Sequence, residues 1–335
     1  MWRKASGMVL LVAAMAAPAA GTDVPEPVGG VYTSTLLAVD GGGNLFCFDG
    51  DTIYGFSGGA FNPLVTGIAV TAGAWVDPSA FSVRTDGALA YVATGSTGRI
   101  VEVDLAAGTA RELSGARIGG YGNYGLAVDP VYGKVFVTDS TTQSAYLLDP
   151  SGDGSLTLLD TFGGTGAFGG GLAFSPDGEL TVPVPTASAW PAGDTCTLDV
   201  YRFSRSFLDD LAAGTIATGA GVKIASDIET DGSGAVAVDT DGNTYILSAA
   251  AIYCLDSLGD LSVLAGDPSR NVFDVAGIGF MGMAYDATQN VLYYAYREDI
   301  ADPWQLQTLA VPEPMTLSML AAGAAAMILA RRRRT

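Results

Sequence analysis

Leu37-Ala38-Val39-Asp40, a glycine turn at 41–43, then Asn44-Leu45-Phe46-Cys47-Phe48: the stretch is an apolar run, a polar turn and a second apolar run. It recurs five more times. Phe81-Ser82-Val83-Arg84 precedes Ala88 to Ala93, and Leu126-Ala127-Val128-Asp129 precedes Lys134 to Val137. Leu172-Ala173-Phe174-Ser175 precedes Glu179 to Val184, and Val236-Ala237-Val238-Asp239 precedes Asn243 to Leu247. The last copy is Met283-Ala284-Tyr285-Asp286 before Asn290 to Tyr296. Short β-branched and aromatic runs cut by Gly, Asp and Asn are strands joined by tight turns. The fourth residues of the six phrases, at 40, 84, 129, 175, 239 and 286, stand 44, 45, 46, 64 and 47 apart. A period of about 45 residues is that of a four-stranded propeller blade.

Working outward, the expected fold is all-β, a six-bladed β-propeller over residues 21–310. Third strands read at Arg99 to Val103, Ser144 to Leu148, Val200 to Phe203 and Ala251 to Leu255. The long step carries an insertion between Thr186 and Ile228, which includes Cys196 and a short helix at Phe207 to Ala213. The sixth unit has strands near Met283, Val291 and Leu306, and Gly30 to Thr35 is expected to supply its fourth. A seventh blade would need about 45 residues more than the chain offers. A pair of β-sandwiches is the competing architecture.

The phrase is similar to the repeats of the NHL and SMP-30-type propellers, whose blades open with a hydrophobic strand ending in Asp before a Gly/Asn turn. The resemblance runs over roughly residues 31–310 and rests on blade grammar. It implies a propeller. For six-bladed relatives of lactonase type it also implies a divalent cation held by Glu, Asp and Asn over the central channel. Asn123 and Asp274, with Asp227, are the candidates for facing that channel. The repeated Asp at 40, 129, 239 and 286 reads as structural, because Asp at a strand end accepts hydrogen bonds from turn amides.

The two ends differ from the body. Arg3 and Lys4, the apolar Met8 to Ala17 and the small residues Ala17-Pro18-Ala19 make residues 1–20 a secretory signal, cleaved near Ala19. At the other end Val311-Pro312-Glu313-Pro314 precedes the apolar run Met315 to Ala330, closed by Arg331, Arg332, Arg333 and Arg334. As a helix that run spans about 24 Å, slightly short of a hydrocarbon core. The arginines hold the last residues on the cytoplasmic side and leave the part before Val311 outside. Residues 311–335 resemble the PEP-CTERM sorting tail of Gram-negative bacteria. The resemblance implies recognition by an exosortase and removal of the tail near Pro-Glu-Pro.

Composition narrows the chemistry. The chain carries a net charge of −19, and setting aside the six basic residues of the ends takes the part between to −25. Such a surface repels phosphate backbones, so nucleic acid is not an expected partner. There is no histidine. That removes the usual general base, the Ser-His-Asp and Cys-His pairs and the commonest transition-metal ligand. Cys47, Cys196 and Cys254 are too few for a disulfide framework in a chain of 335 residues, though one pair could form.

Asp149, Ser151, Asp153, Ser155, Thr157 and Asp160 place oxygens at positions 1, 3, 5, 7, 9 and 12 of a loop with Gly154 at 6. That is the ligand pattern of a calcium loop. The flank Ala145 to Leu148 reads as a strand, however, so a hairpin turn is the competing reading. The acid pairs Asp209-Asp210 and Glu229/Asp231 read as surface carboxylates. Trp75, Trp190 and Trp304 are aromatics for sugar stacking or for the core.

Two functions follow. The first is an exported, exosortase-processed protein of the cell surface or extracellular matrix. Its propeller would bind exopolysaccharide or surface proteins and need no cofactor. The second is a metal-dependent hydrolase or lactonase of the six-bladed type, using Ca2+ or another divalent cation. Signal peptidase, the secretion machinery and exosortase are the partners expected during export. The precursor would be anchored in the inner membrane.

Overall fold

The repeated phrase forms the first two strands of each blade in the computed structural model. The structure describes residues 22–26, 36–68, 78–94, 98–113, 115–116, 118, 125–139, 142–162, 171–188, 196–215, 218–219, 221–230, 235–248, 250–267, 279–299 and 301–311. They make six antiparallel sheets of four strands. The N-terminal strand β1 (Thr22–Asp23) belongs to the last sheet. Blade 1 is β2 (Leu36–Val39), β3 (Leu45–Phe48), β4 (Ile53–Ser57) and β5 (Ala60–Val65). Blade 2 is β6 (Pro78–Val83), β7 (Leu89–Thr94), β8 (Ile100–Asp104) and β9 (Thr109–Glu112). Blade 3 is β10 (Leu126–Val128), β11 (Val135–Asp139), β12 (Ser144–Asp149) and β13 (Ser155–Thr161).

Blade 4 is the enlarged one. It comprises β14 (Ala173–Phe174), β15 (Leu180–Ser188), β16 (Cys196–Phe203) and β17 (Val222–Thr230), with α1 (Arg205–Ala212) between the last two. Blade 5 is β18 (Val236–Val238), β19 (Thr244–Leu247), β20 (Ala251–Leu255) and β21 (Leu261–Gly266). Blade 6 is β22 (Gly279–Asp286), β23 (Val291–Arg297), β24 (Gln305–Ala310) and, on its outer edge, β1. The innermost strands touch in sequence, β2 to β6, β10, β14, β18 and β22, and β22 touches β2 again. The ring is closed and the sandwich alternative is excluded.

Neighbouring side chains of a strand point to opposite faces of its sheet. Here both faces are covered. Phe46 and Phe48 of β3 pack against Phe81, Val92 and Val103 of blade 2, while Leu45 and Cys47 pack against Ala284, Ala295 and Trp304 of blade 6. The same division gives six apolar clusters, one between each pair of adjacent blades. It also explains why the second strands read as continuous apolar runs. Burying one side chain of the size of Phe48 stabilises the fold by about 1.5–3 kcal/mol.

Three boundaries differ from expectation. The closing strand is Thr22–Asp23, pairing with Leu306 and Gln305 of β24, and not Gly30 to Thr35. Residues 27–35 lie outside the described residues. The insertion of blade 4 is spent on nine-residue second and fourth strands as well as on α1, which begins at Arg205 behind an N-cap Ser204. Cys47 and Cys254 are free thiols in blades 1 and 5. Among the described residues no helix is long and apolar enough to cross a membrane. The signal at 1–20, Pro312-Glu313-Pro314, the run Met315 to Ala330 and Arg331 to Arg334 all lie outside them.

The turns that join first to second strands meet around one end of the ring and leave little room. The Gly41 amide donates to the Thr85 carbonyl at 2.9 Å, and Thr85 Oγ1 donates to the Pro130 carbonyl at 3.0 Å. Gly43, at φ +80°, faces blade 6, where a Cβ would stand 2.6 Å from Thr288 Oγ1. Gly43→Ala combines a left-handed backbone with that clash. It is expected to cost about 1–3 kcal/mol, read as a lowered midpoint in urea unfolding. An unchanged midpoint would mean that blades 1 and 6 are not in contact there.

Candidate functional site

The ring has two faces. At the turn face the inner strands end and reverse into the second strands. At the mouth face the inner strands begin and the second strands turn into the third.

The turn face is occupied by its own hydrogen bonds. Asp40 Oδ1 accepts from the Gly42 and Asn44 amides at 2.8 and 2.9 Å, and Oδ2 accepts from Asn44 Nδ2. Asp239 repeats the arrangement with Asp241, Asn243 and the Tyr245 hydroxyl. Asp286 accepts from the Thr288 amide and hydroxyl and from Gln289 Nε2. Asp129 takes the Val131 amide on Oδ1 and the Arg205 guanidinium on Oδ2 at 2.6 Å. The repeated aspartates are therefore turn acceptors, as their recurrence implies.

The mouth face carries buried polar groups of less uniform kind. Asp49, just past β3, accepts from the Asp51 and Thr52 amides through Oδ1 and from the Tyr54 hydroxyl through Oδ2 at 2.8 Å. Asp139, at the same place in blade 3, accepts from the Thr142 hydroxyl at 3.0 Å. Arg297 ends β23 opposite Gly279, the first residue of the inner strand β22. Its guanidinium is 6% exposed, stacks 4.3 Å over the Trp304 ring and reaches Glu26 at 3.5 Å. A cation so buried strengthens its field toward anything anionic that reaches it. Arg297 is the residue that sequence reasoning missed. The signal available was an arginine closing a second strand where the other blades place Asp49, Asp139 or Ser248.

Other residues are placed as follows. Asp227 is exposed on β17, the outermost strand of blade 4, at φ +54°, with its amide near Asp199 Oδ1. It does not face the channel, which corrects the expectation. Asn123 and Asp274 lie outside the described residues, as do Trp75 and Trp190. Trp304 is core.

Asp149 to Asp160 form the β12–β13 hairpin. Asp149 lies across from Ser155 and Asp160 across from Ala145. At about 3.3 Å per residue the extended β13 carries Asp160 away from Asp149, so Asp149, Ser151, Asp153, Ser155, Thr157 and Asp160 do not wrap one point. Arg111 donates to the Pro150 and Gly152 carbonyls of that turn. Of the two readings, the backbone adopts the hairpin. Among the described residues no three Cys, Asp or Glu side chains gather into a metal-holding group.

No family model and no curated protein matches the chain. Solved structures do. A gluconolactonase from Xanthomonas campestris is similar over 84% of this chain and 88% of its own, at 19% identity and a TM-score of 0.55. An auxiliary nutrient binding protein from Bacteroides thetaiotaomicron is similar over 83% and 69%, at 12% identity and 0.55. A structure provisionally described as a gluconolactonase is similar over 87% and 93%, at 13% identity and 0.53. At these identities the likeness establishes the fold. Against the first of the two expected functions, a non-catalytic matrix module, two of these three propellers carry the gluconolactonase name.

The interior is hostile to ionisation. Burial, then the hydrogen bond to Asp49 and its charge, pushes the Tyr54 hydroxyl up to about 12. Burial, with the charges of Asp239 and Asp256 adding to it, pushes the Cys254 thiol up to about 12. Burial raises Cys47 as well. Unfolding returns Tyr54 to 10.0 and Cys254 to 9.0. The folded state keeps the neutral forms, so their contribution is complete below about pH 9 and is lost as pH rises through about 12. The melting temperature is expected to be level between about pH 7 and 9 and to fall between about 9 and 12. Tyr54→Phe should soften the fall. A level profile to pH 12 would contradict the assignment.

Proposed function

We propose that this chain is an exported hydrolase of the six-bladed lactonase type, working at the mouth face and tethered through its C-terminal segment. One observation carries the reading: the closed six-blade architecture is similar, over 84% of the chain, to that of a gluconolactonase. The buried Arg297, which ends the second strand of blade 6 opposite the start of its inner strand, adds a polar anchor on that face. Asn123 and Asp274 are proposed to complete the site, since each precedes an inner strand by a few residues, β10 and β22 respectively. The tether is supported by Pro312-Glu313-Pro314, the apolar Met315 to Ala330 and the four terminal arginines. In the same reading signal peptidase acts during export, and the tether is that of the precursor, on which exosortase would act.

The chemistry consistent with these residues is ring opening of a cyclic ester. Water adds to the carbonyl carbon, negative charge develops on the carbonyl oxygen, and the ring C–O bond breaks as the leaving oxygen takes a proton. The product is a hydroxy acid. With no histidine in the chain the proton-accepting group is a carboxylate, and Asp274 is assigned that part. Asp49 is unsuited, because both of its oxygens are committed. Arg297 would hold the developing or final negative charge, the kind of contact whose loss costs about 10²–10³ in rate.

The test is acid release from a panel of five- and six-membered lactones by the full-length protein, with and without added Ca2+ or Mn2+. Opening well above the buffer rate is expected. Asp274→Asn and Arg297→Lys should each reduce kcat by about tenfold or more, with Arg297→Lys also lowering the melting temperature because its guanidinium stacks on Trp304. No opening above buffer for any lactone, with either cation present, would overturn the reading.

A further inference from the structure

Four large apolar side chains are at least half exposed: Val131 at 50%, Tyr132 at 62%, Val222 at 67% and Leu258 at 88%. All four lie on the turn face. Val131 and Tyr132 are in the β10–β11 turn, Val222 opens β17 opposite Arg202, and Leu258 is in the β20–β21 turn. They spread over blades 3, 4 and 5, and a Cβ on Gly259 would come 3.5 Å from the Ile224 carbonyl of blade 4. Clustered exposed apolar groups mark a surface that is covered in use. Tyr132 is held in place by the Arg205 guanidinium, 4.3 Å over its ring. Lys134 stands two residues from Tyr132, and Lys223, next to Val222, is paired with Asp199.

The chain also leaves the fold on this face. Val311 is 5% exposed, packed with Met283, Leu292 and Tyr245 between blades 5 and 6. Its amide donates to the Asn290 carbonyl at 3.1 Å, and Asn290 Nδ2 donates to its carbonyl at 3.2 Å. Asn290 belongs to the β22–β23 turn, so Val311 is clamped on the turn face. Only Pro312, Glu313 and Pro314 separate it from the apolar Met315 to Ala330. Fully extended, that link reaches about 14 Å.

We propose that the turn face is a lipid-contacting surface. In the tethered protein Val131, Tyr132, Val222 and Leu258 would then enter the interfacial layer of the bilayer, and the mouth face would point away from it. The inference rests on the reading of Met315 to Ala330 as membrane-embedded. A link of about 14 Å cannot carry the far face of the ring around to the bilayer. Tyr and aliphatic side chains beside lysine are suited to the headgroup boundary.

The test uses full-length protein in phosphatidylcholine vesicles, with an environment-sensitive thiol probe at Leu258→Cys on the turn face or Asp302→Cys on the mouth face. The parent, whose own thiols include the buried Cys47, sets the labelling baseline. Spin-labelled lipid is expected to quench the probe at 258 several-fold more than the probe at 302. Vesicle-bound protein with equal quenching, or stronger quenching at 302, would leave the tether standing and overturn the surface. Protein washed from vesicles at alkaline pH would overturn the tether and the surface with it.

Discussion

Six tight turns join inner to second strands around one end of a closed ring, and each brings backbone amides that must be satisfied locally. An amide buried without an acceptor costs about 1–3 kcal/mol. The residue at the end of each inner strand answers this demand. Asp40 and Asp239 each take two turn amides on one oxygen and a side-chain amide on the other. Where the position is not Asp, the chain finds another acceptor. Ser175 Oγ takes the Glu179 amide, and in blade 2 Asp86 takes the Ala88 amide while its other oxygen holds Arg84 at 2.6 Å. Packing between blades can then proceed on turns of fixed shape.

Because every blade buries both faces, no blade has a core of its own. Each apolar cluster is made by two neighbours, so order is shared around the ring and the weakest point is where the chain ends meet. There β1 contributes only two residues. The Val24 amide extends the ladder with a 2.7 Å bond to the Trp304 carbonyl, and Val24 itself is buried between blades 6 and 1. Arg297 lies over the Trp304 ring at the same junction. A short strand suffices because a large indole and an apolar plug stand beside it. The last described residue, Val311, packs between blades 5 and 6, so the first and last described segments brace different interfaces.

Much of this was legible in the sequence, for a physical reason. A repeat that must bury both faces of its strands leaves an apolar run at every second strand, and a turn that must satisfy its amides leaves an Asp. Those marks gave the blade count, the strand order and the structural role of the aspartates. The closing strand was not legible, because Thr22–Asp23 is too short to show a period and only Val24 beside it is apolar. Asp227 was misplaced for a different reason. Its nine-residue separation from Val236 resembles a connection between blades, but the insertion of blade 4 lengthens β17 to Thr230 and carries Asp227 to the rim. The calcium-like spacing at Asp149 arose from the residues that any tight hairpin uses. The choice of a matrix-binding module over a hydrolase failed because blade grammar constrains the scaffold and is silent on the chemistry built upon it.

The unequal use of the two faces follows from hydrogen-bond accounting. At the turn face the carboxylates are consumed in holding the ring together, and a substitution there would be paid in stability before it changed any chemistry. At the mouth face the second strands end in Asp49, Asp139, Ser248 and Arg297, which differ in charge and reach because no shared turn geometry dictates them. Even there Asp49 and Ser248 are tied to their own turns, so variety of side chain, and not freedom from structure, distinguishes this face. That variety is why the proposed chemistry is assigned to this side of the ring, while Val311, the last described residue, lies on the side committed to structure.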